Sequence, residues 1–216
     1  SYNPVSDRII SARFQMATGF ATLCQVYAPT ADSSEEDIDK FYLDLQQEIN
    51  RTQKEDLLII MRDFNAKVGI GDEDSKQVMG KFGIGQRNDR GERLIDFCYT
   101  NDLFITNTAF KQSKFNRSWT WESPGTTTHN QIDYILVSKK WMGSVQNSRS
   151  YPSADCGSDH QLVMAGIKLK LKAKKTPAKI RKINIEKLKD EQVKRDFHQK
   201  IEEKWQNRIK EPTANV

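Results

Sequence analysis

Alternating and continuous apolar segments predict several β-strands in the first half of the chain. Arg8–Phe14 and Ala21–Tyr27 are rich in β-branched and aromatic residues, and Thr18-Gly19 between them is typical of a hairpin turn. Leu57–Met61 is apolar at every position, which indicates a short strand buried on both faces.

A helix is predicted between the second and third of these strands. Ala28-Pro29 ends the second strand, and Asp32-Ser33-Ser34, followed by acidic residues, is a typical helix N-terminus. Apolar residues then recur at helical spacing, at Ile38, Phe41, Leu45 and Ile49. The first half of the chain therefore predicts strands arranged around one helix.

The second half predicts a long loop, a second helix and four more strands. Residues 69–91 hold six of the eleven glycines together with many charged residues, as loops do. A helix is predicted from Leu94 to about Asn101. The strands expected after it are Leu103–Asn107, Ser118–Trp121, Ile132–Ser138 and Leu162–Leu171, the last with lysines on one solvated face.

The C-terminal part predicts an appendage and not more core. Residues 172–183 form a basic linker broken by proline, residues 184–210 a charged helix with a narrow apolar stripe, and residues 211–216 a tail. We therefore expect one domain over residues 1–171, which suits a chain of 216 residues.

Composition excludes several classes of protein. No apolar run approaches the roughly 20 residues that a membrane span needs, and the first residues carry no secretory signal. Cys24, Cys98 and Cys156 are odd in number and far apart, which argues against a disulfide framework or a zinc ribbon. These features predict an intracellular protein, nuclear or cytoplasmic, with no membrane as a partner.

The net charge of +5 is unevenly distributed along the chain. Up to Ala165 there are 18 Lys and Arg residues against 22 Asp and Glu residues, whereas from Gly166 onward there are 16 against 7. An acidic body with a basic C-terminal segment is compatible with nucleic-acid binding, but charge alone does not establish it.

Three polar clusters lie at the ends of apolar strands. Asp63 and Asn65 follow Leu57–Met61 and are two residues apart, so an extended backbone points both to one side. Asp133 lies inside an apolar strand, where an unpaired carboxylate is costly. Gly157-Ser158-Asp159-His160 precedes the last strand, and such a turn can present Asp and His to one cleft.

Each cluster by itself also has a purely structural interpretation. Asp-x-Asn suits an ordinary turn, the aspartate in the strand suits a buried salt bridge, and a histidine in a turn is more often solvated than catalytic. Trp119 and Trp121 suit packing on a sheet, with base stacking at the rim of a site as the alternative. The order of the clusters favours a functional interpretation.

Five stretches carry a resemblance to a known family: DFNAKVG at 63–69, RGERLIDFCYTNDLFITNT at 90–108, SWTWESPG at 118–125, NQIDYILVSKKW at 130–141 and ADCGSDHQLVMA at 154–165. Their order, spacing and strand-end placement resemble the endonuclease/exonuclease/phosphatase superfamily, which includes DNase I. Within it they are most similar to the endonucleases of RTE (BovB-like) non-LTR retrotransposons, over about residues 7–171.

The resemblance implies both a fold and a reaction. The fold is an α/β four-layer sandwich in which two mostly antiparallel sheets pack face to face with helices outside. The reaction is hydrolysis of phosphodiester bonds in DNA that depends on Mg²⁺, with Mn²⁺ as an alternative metal and no small-molecule cofactor.

The family's catalytic roles fall on four matching positions. By resemblance, Asp63 orients or deprotonates the attacking water and Asn65 holds the scissile phosphate. His160 contacts the phosphate and stabilises charge in the transition state, while Asp133 fixes the tautomer of that histidine.

The resemblance also implies metal and substrate contacts. Asp159 lies on the metal side of the site. Tyr27 contacts the phosphate, and Trp121 is a further candidate for substrate binding.

Two departures from the family pattern predict weak activity. The family has Gly before its first Asp, and Arg62 stands there in this chain, where it either pairs with Asp63, crowds the phosphate or points away. The family's N-terminal strands, with an Asn and a metal-binding Glu, have no counterpart before Tyr27, so we expect that part of the fold to be missing.

These departures leave three interpretations. The leading one is an impaired Mg²⁺-dependent endonuclease derived from a retrotransposon. The alternative is a catalytically inactive module that binds nucleic acid or protein, and the third is the same fold acting on a phosphoinositide.

Overall fold

The computed structural model describes residues 1–17, 19–125, 127–154, 157–169 and 185–210, with side chains up to residue 207. The chain divides into two compact units, Ser1–Leu171 and Lys172–Val216, and each is described by itself. The predicted linker 172–183, the predicted tail 211–216 and Cys156 lie outside the described residues.

The first unit combines ten strands with two α-helices. They are β1 (Tyr2–Pro4), β2 (Ile9–Met16), β3 (Gly19–Tyr27), α1 (Glu35–Arg51), β4 (Leu57–Asp63), α2 (Asp89–Thr100), β5 (Leu103–Ile105), β6 (Trp121–Glu122), β7 (His129–Asn130), β8 (Asp133–Ser138), β9 (Val145–Tyr151) and β10 (Leu162–Ile167).

Six of these strands form one sheet in the order β1-β2-β3-β4-β8-β5. The pair β3–β4 is parallel, and the other pairs in this sheet are antiparallel. Strand β4 lies between β3 and β8, and its side chains enter the cores on both faces of the sheet, as its continuous apolar run predicts.

One face of the six-stranded sheet is covered by both α-helices of this unit. Leu58 and Ile60 of β4 are buried on this face, in one core with Phe41 and Leu45 of α1 and Leu94 of α2. This core contains most of the fully buried large side chains of the protein.

The opposite face is covered by the antiparallel pair β9–β10, which forms a separate two-stranded sheet. Leu57 and Val137 of the large sheet pack there with Val163, Ala165 and Ile167 of β10. Leu169 also packs there while Lys168 is exposed, as the predicted alternation requires, and residues 170–172 lie outside the described residues.

Helix α1 begins where its polar residues can cap it. Ser34 is the N-cap, and its Oγ accepts a hydrogen bond from the Asp37 amide at 3.2 Å. Three acidic residues occupy the first turn, where they interact favourably with the helix dipole. The predicted apolar positions Ile38, Phe41 and Leu45 are buried.

Helix α2 begins five residues before the predicted start at Leu94. Asn88 is its N-cap, and the Asn88 Oδ1 accepts from the amides of Gly91 and Lys67, both at 2.9 Å. The predicted loop 69–91 includes Gly91 because glycines and charged residues are concentrated there. Gly91 is buried directly against the Lys67 backbone, and this close approach requires a glycine.

The sequence does not predict strand β9, because its residues Val-Gln-Asn-Ser-Arg-Ser-Tyr are mostly polar. Ser148 and Ser150 of this strand are nevertheless buried. The Ser148 hydroxyl lies 2.9 Å from Thr106 Oγ1, and Ser150 Oγ donates to the Asn116 carbonyl at 3.4 Å. These hydrogen bonds satisfy polar groups that a hydrophobic pattern would place in solvent.

Three predicted strands are shorter in the structure. Strand β10 ends at Ile167, whereas the predicted strand runs to residue 171, which lies outside the described residues. Instead of Ser118–Trp121, β6 contains only Trp121–Glu122, and Thr120 before it bonds to Asn130 and Asp133. The predicted strand Leu103–Asn107 ends at Ile105, where Thr106–Thr108 turn into a 3₁₀ helix.

The described part of the second unit is helical. A 3₁₀ turn, Ile185–Lys189, precedes α3 (Glu191–Lys210), so the α-helix begins seven residues after the predicted start of 184. Its apolar residues Phe197, Ile201 and Trp205 are exposed. Among the described residues, no helix has the length and apolar character needed to cross a membrane.

We predict that Gly91→Ala strongly destabilises the first unit. An added Cβ would overlap the carbonyl oxygen of Lys67, so the N-terminus of α2 must move. We expect a loss of about 3 kcal/mol in the free energy of unfolding, measured by urea denaturation. Gly143→Ala is the control, because a Cβ there meets no atom within 4 Å. Equal stability of the two variants would contradict the proposed packing.

Candidate active site

Three of the predicted site residues form one row across the large sheet. Tyr27 of β3 is the register partner of Asp63 in β4, and Asp63 is the register partner of Asp133 in β8. Register partners on neighbouring strands project from the same face of a sheet. Asp63 and Asp133 are 5% and 7% exposed, whereas Tyr27 is 43% exposed. Two buried carboxylates therefore lie side by side beneath an exposed phenol.

His160 joins this row from the segment before β10. Its Nδ1 lies 2.9 Å from Asp133 Oδ2 and 3.2 Å from Oδ1. The hydrogen bond with Asp133 raises the pKa of His160, and the charges of Asp133, Asp63 and Asp159 act in the same direction, against desolvation by burial. With Nδ1 donating to Asp133, Nε2 is the nitrogen left to exchange protons with a ligand.

Asp63 is the second titrating group of the site. Burial raises its pKa to about 6, and the neighbouring charge of Asp133 adds to this rise. The backbone amide of Asn65 opposes the rise by donating to Asp63 Oδ1 at 2.8 Å. A carboxylate with this pKa changes its protonation near neutral pH, as a general base does.

Asn65 connects the end of β4 to the segment after β3. Its backbone adopts a positive φ of 47°, which asparagine tolerates better than most residues. Its Nδ2 donates to the carbonyl of Ala28 at 2.8 Å. Asn65 thus holds Asp63 and the end of β3 together, and its contact with a phosphate stays a prediction.

Arg62 has an unusual backbone conformation, with a positive φ of 109°. This explains why a glycine suits the position before Asp63, since other residues are strained there. The side chain is exposed, lines the same cleft as Asp63 and places its guanidinium carbon 5.9 Å from the centre of the Tyr27 ring. Arg62 thus lies at the cleft with its guanidinium beside Tyr27.

These residues surround a cleft of about 440 Å³ between the large sheet and β10. Its lining consists of Gln25, Tyr27, Met61, Arg62, Asp63, Asp133, Tyr134, Ile135, Ser158, His160, Gln161, Leu162 and Val163. The acidic and basic side chains of this lining are two carboxylates, one imidazole and one guanidinium. The cleft is therefore suited to a small anionic group held beside polar and apolar surface.

Asp159 and Trp121 contact each other beside this cleft. Trp121 Nε1 donates to Asp159 Oδ2 at 2.9 Å, and this hydrogen bond is the main cause that lowers the pKa of Asp159. Asp159 lines a neighbouring cavity of about 250 Å³, which shares Ser158, His160 and Gln161 with the main cleft. The structure thus places the predicted metal ligand next to, but not inside, the main cleft.

The described residues do not collect a metal site by themselves. Among them there is no group of three or more His, Cys, Asp or Glu side chains that could hold an ion. Magnesium needs only one or two carboxylates and takes water and phosphate oxygens as further ligands. However, Asp133 is engaged by His160 and Asp159 by the Trp121 indole. The described carboxylates thus do not form a cluster around one ion position, and a site for Mg²⁺ or Mn²⁺ stays a prediction.

Two buried residues, which the sequence did not predict as part of the site, hold Asp133 in place. Thr120 Oγ1 accepts from the amides of Ile132 and Asp133, both at 3.0 Å. Asn107 Nδ2 donates to the Asp133 carbonyl at 3.1 Å, and its Oδ1 accepts from the Ile135 amide at 2.9 Å. Both lie in family-like stretches, but their contacts link distant segments and leave no local pattern.

Comparisons with known proteins identify the family. A family model described as endonuclease-reverse transcriptase matches residues 21–164. Craniofacial development protein 2 of Bos taurus is 43% identical over 215 residues, and that of Tragulus javanicus is 42% identical. The matches cover 99% of this chain but 35% and 37% of those proteins, so this chain spans about a third of their length.

Solved structures show the same fold. The endonuclease domain of TRAS1, a telomere-specific non-LTR retrotransposon, matches with a TM-score of 0.55 at 16% identity, over 77% of this chain and 66% of that one. The 3'-5' exonuclease NExo from Neisseria meningitidis matches with a TM-score of 0.55 at 17% identity, over 75% and 65%.

A further match is a variant of the 3' phosphatase NExo from Neisseria bound to product DNA hairpin, with a TM-score of 0.53 at 18% identity over 75% of this chain and 65% of that one. At these identities the likeness concerns the fold alone. The family model and the two relatives confirm the predicted superfamily, and the solved structures confirm the predicted α/β fold class.

We predict that Asp63 makes the stability of the protein depend on pH. Its pKa is about 3.9 in an unfolded chain and about 6 in the folded protein, so the unfolded state loses this proton first. Its contribution to the free energy of unfolding is therefore fully present below about pH 4 and is lost as the pH rises through 6.

Asp63→Asn should flatten this dependence between about pH 4 and pH 6, as measured by urea denaturation at several pH values. Asp96→Asn, an exposed change on α2, is the control. If the two variants keep the same pH profile as the original protein, Asp63 does not titrate in this window.

Proposed function

Because this chain belongs to the endonuclease-reverse transcriptase family, we propose that it is a nuclease-like phosphodiesterase domain that acts on DNA in the Arg62–His160 cleft. The observation that carries the proposal is the Asp133–His160 hydrogen bond beside the near-neutral carboxylate of Asp63. This arrangement provides a base and an acid within one cleft.

The proton transfers follow from the two pKa changes. Asp63, as a carboxylate, accepts a proton from the attacking water, for which a pKa of about 6 is well matched near neutral pH. The raised pKa of His160 favours its protonated form, which can donate from Nε2 to a phosphate oxygen on which negative charge develops. Asp133 keeps the proton on Nδ1 and orients the ring.

DNA is the proposed substrate class because its phosphates suit the cationic groups of the cleft. Tyr27 is exposed at the mouth of the cleft and is proposed to contact a phosphate, as is Asn65. Trp121 is proposed to contact the nucleic acid at the rim, with its indole N–H committed to Asp159. The nucleases and the DNA-bound phosphatase with the same fold support this choice.

We propose that turnover by this chain is slow. The described carboxylates do not gather around a metal position, and an Mg²⁺ or Mn²⁺ ion would be held by Asp159 together with water and the DNA phosphates. When bound, such an ion would stabilise charge on the phosphate. The nuclear or cytoplasmic location stays a prediction.

An inactive nucleic-acid-binding module is the second candidate function. The ungrouped metal donors among the described residues favour it, and so does the charge of the second unit. Residues 172–216 hold 14 Lys and Arg residues against 7 Asp and Glu residues. A cationic segment of this kind binds phosphates without sequence preference.

We predict that His160→Ala lowers the rate of plasmid nicking by about 10²–10³, measured under single turnover with Mg²⁺ and protein in excess. Asp63→Ala should be at least as damaging. Asp133→Ala acts through His160, so its combination with His160→Ala should be far from additive.

His129→Ala is the matched control, since His129 stacks on Trp119 at 4.2 Å and does not line the cleft. Equal nicking by the original chain and the His160→Ala variant would exclude this site. If neither nicks DNA while both bind it, the binding module is the better description.

We also predict that the basic second unit provides most of the salt-sensitive affinity for DNA. A chain that ends at Leu171 retains 20 Lys and Arg residues against 22 Asp and Glu residues. The slope of log K against log salt should shrink by about 0.9 for each phosphate that this shorter chain no longer neutralises. Fluorescence anisotropy with both chains measures this slope, and an unchanged slope would refute the prediction.

A further inference from the structure

Arg62 keeps a strained backbone because its neighbours on both sides hold it there. It is the register partner of Val26 in β3 and of Tyr134 in β8, with a φ of 109°. Directly after it, the Asp63 carbonyl accepts from Ala28 N at 2.9 Å, and Phe64 N donates to the Ile132 carbonyl at 3.0 Å. Backbone strain of this kind persists only where the surrounding structure enforces it, often at functional sites.

The guanidinium of Arg62 has no carboxylate partner within hydrogen-bond distance among the described residues. Arg13, Arg87 and Arg93 form ion pairs with carboxylates. Within the described part of the chain, Arg62 has neither a side-chain hydrogen bond nor an ion pair, and its guanidinium faces the ring of Tyr27. Its five N–H donors are therefore available to a ligand.

The charges that line the cleft indicate that the Arg62 guanidinium can bind an anion. The lining contains the carboxylates of Asp63 and Asp133, and Arg62 and His160 are its cationic groups. Since His160 is bound to Asp133, a phosphate approaching without Arg62 would meet mainly negative charge. A guanidinium matches two phosphate oxygens in a bidentate arrangement.

We propose that Arg62 is a phosphate-binding residue of this cleft, which holds a phosphodiester group of the DNA strand beside Tyr27. The proposal rests on the proposed function for its ligand but concerns binding and not hydrolysis. A glycine at this position would adopt the positive φ without strain, whereas Arg62 is strained there but adds a positive charge at the cleft.

Arg62→Gly is expected to raise the thermal stability of the protein and to lower its affinity for DNA. Arg62→Gly relieves the backbone strain, so the midpoint of thermal unfolding should rise by a few degrees. The same change removes a phosphate contact, so the affinity for DNA should fall by about tenfold. A residue without a function would give only the rise in stability.

The test is fluorescence anisotropy of the full chain with a labelled DNA duplex of about 12 base pairs over a range of salt concentrations. Arg62→Gly and Arg62→Gln should each reduce the slope of log K against log salt by about 0.9. Arg62→Lys should keep the slope with weaker binding, because it retains the charge but not the planar fork.

Arg8→Gln is the matched control. The Arg8 guanidinium lies 5.6 Å from the same Tyr27 ring but does not line the cleft, so its removal should leave the slope unchanged. Unchanged or stronger DNA binding by both Arg62→Gly and Arg62→Gln would overturn the proposal. A reduced slope in a chain that does not nick DNA would support Arg62 and count against the hydrolytic function instead.

Discussion

The site depends on two buried carboxylates that the sheet holds side by side. Asp63 and Asp133 are register partners in β4 and β8, and like charges repel strongly where water is excluded. Two features reduce this repulsion. The pKa of Asp63 is raised, so this carboxyl group holds a proton more readily, and Asp133 is hydrogen-bonded to His160. The β6 segment holds His160 near Asp133. It does so through the Trp121–His160 β-bridge and the hydrogen bond from Gln161 N to the Thr120 carbonyl.

The strand pairing that brings Asp63 and Asp133 together also explains the backbone strain at Arg62. Strand β4 is hydrogen-bonded to β3 and to β8 up to Asp63, and these bonds restrict the backbone conformation at Arg62. The result is an exposed cation beside a cleft that contains two carboxylates, where the described residues do not gather ligands for a metal. Acid–base chemistry and anion binding thus arise from one structural constraint, the register of three adjacent strands.

The sequence predicted an element correctly where the residues that define it lie within one segment of the chain. The segment Asp32-Ser33-Ser34 and the spacing of Ile38, Phe41 and Leu45 predicted α1, and the structure places the N-cap in that segment. The clusters at Asp63 and His160 were likewise visible. Strand β9 and the start of α2 were not, because their polar or glycine residues are explained only by contacts with Thr106 and Lys67, far away in the chain.

The sequence by itself determined the family, the fold class and the candidate residues, because strand-end motifs and apolar periodicity are local properties. Only the tertiary structure decided how those residues act. It brought Tyr27, Asp63 and Asp133 into one row, placed Asp159 in a neighbouring cavity, and turned Arg62 into the cleft. The physical reason is that distances between charges, burial and backbone strain depend on strand register and on packing between segments, which no single stretch of sequence contains.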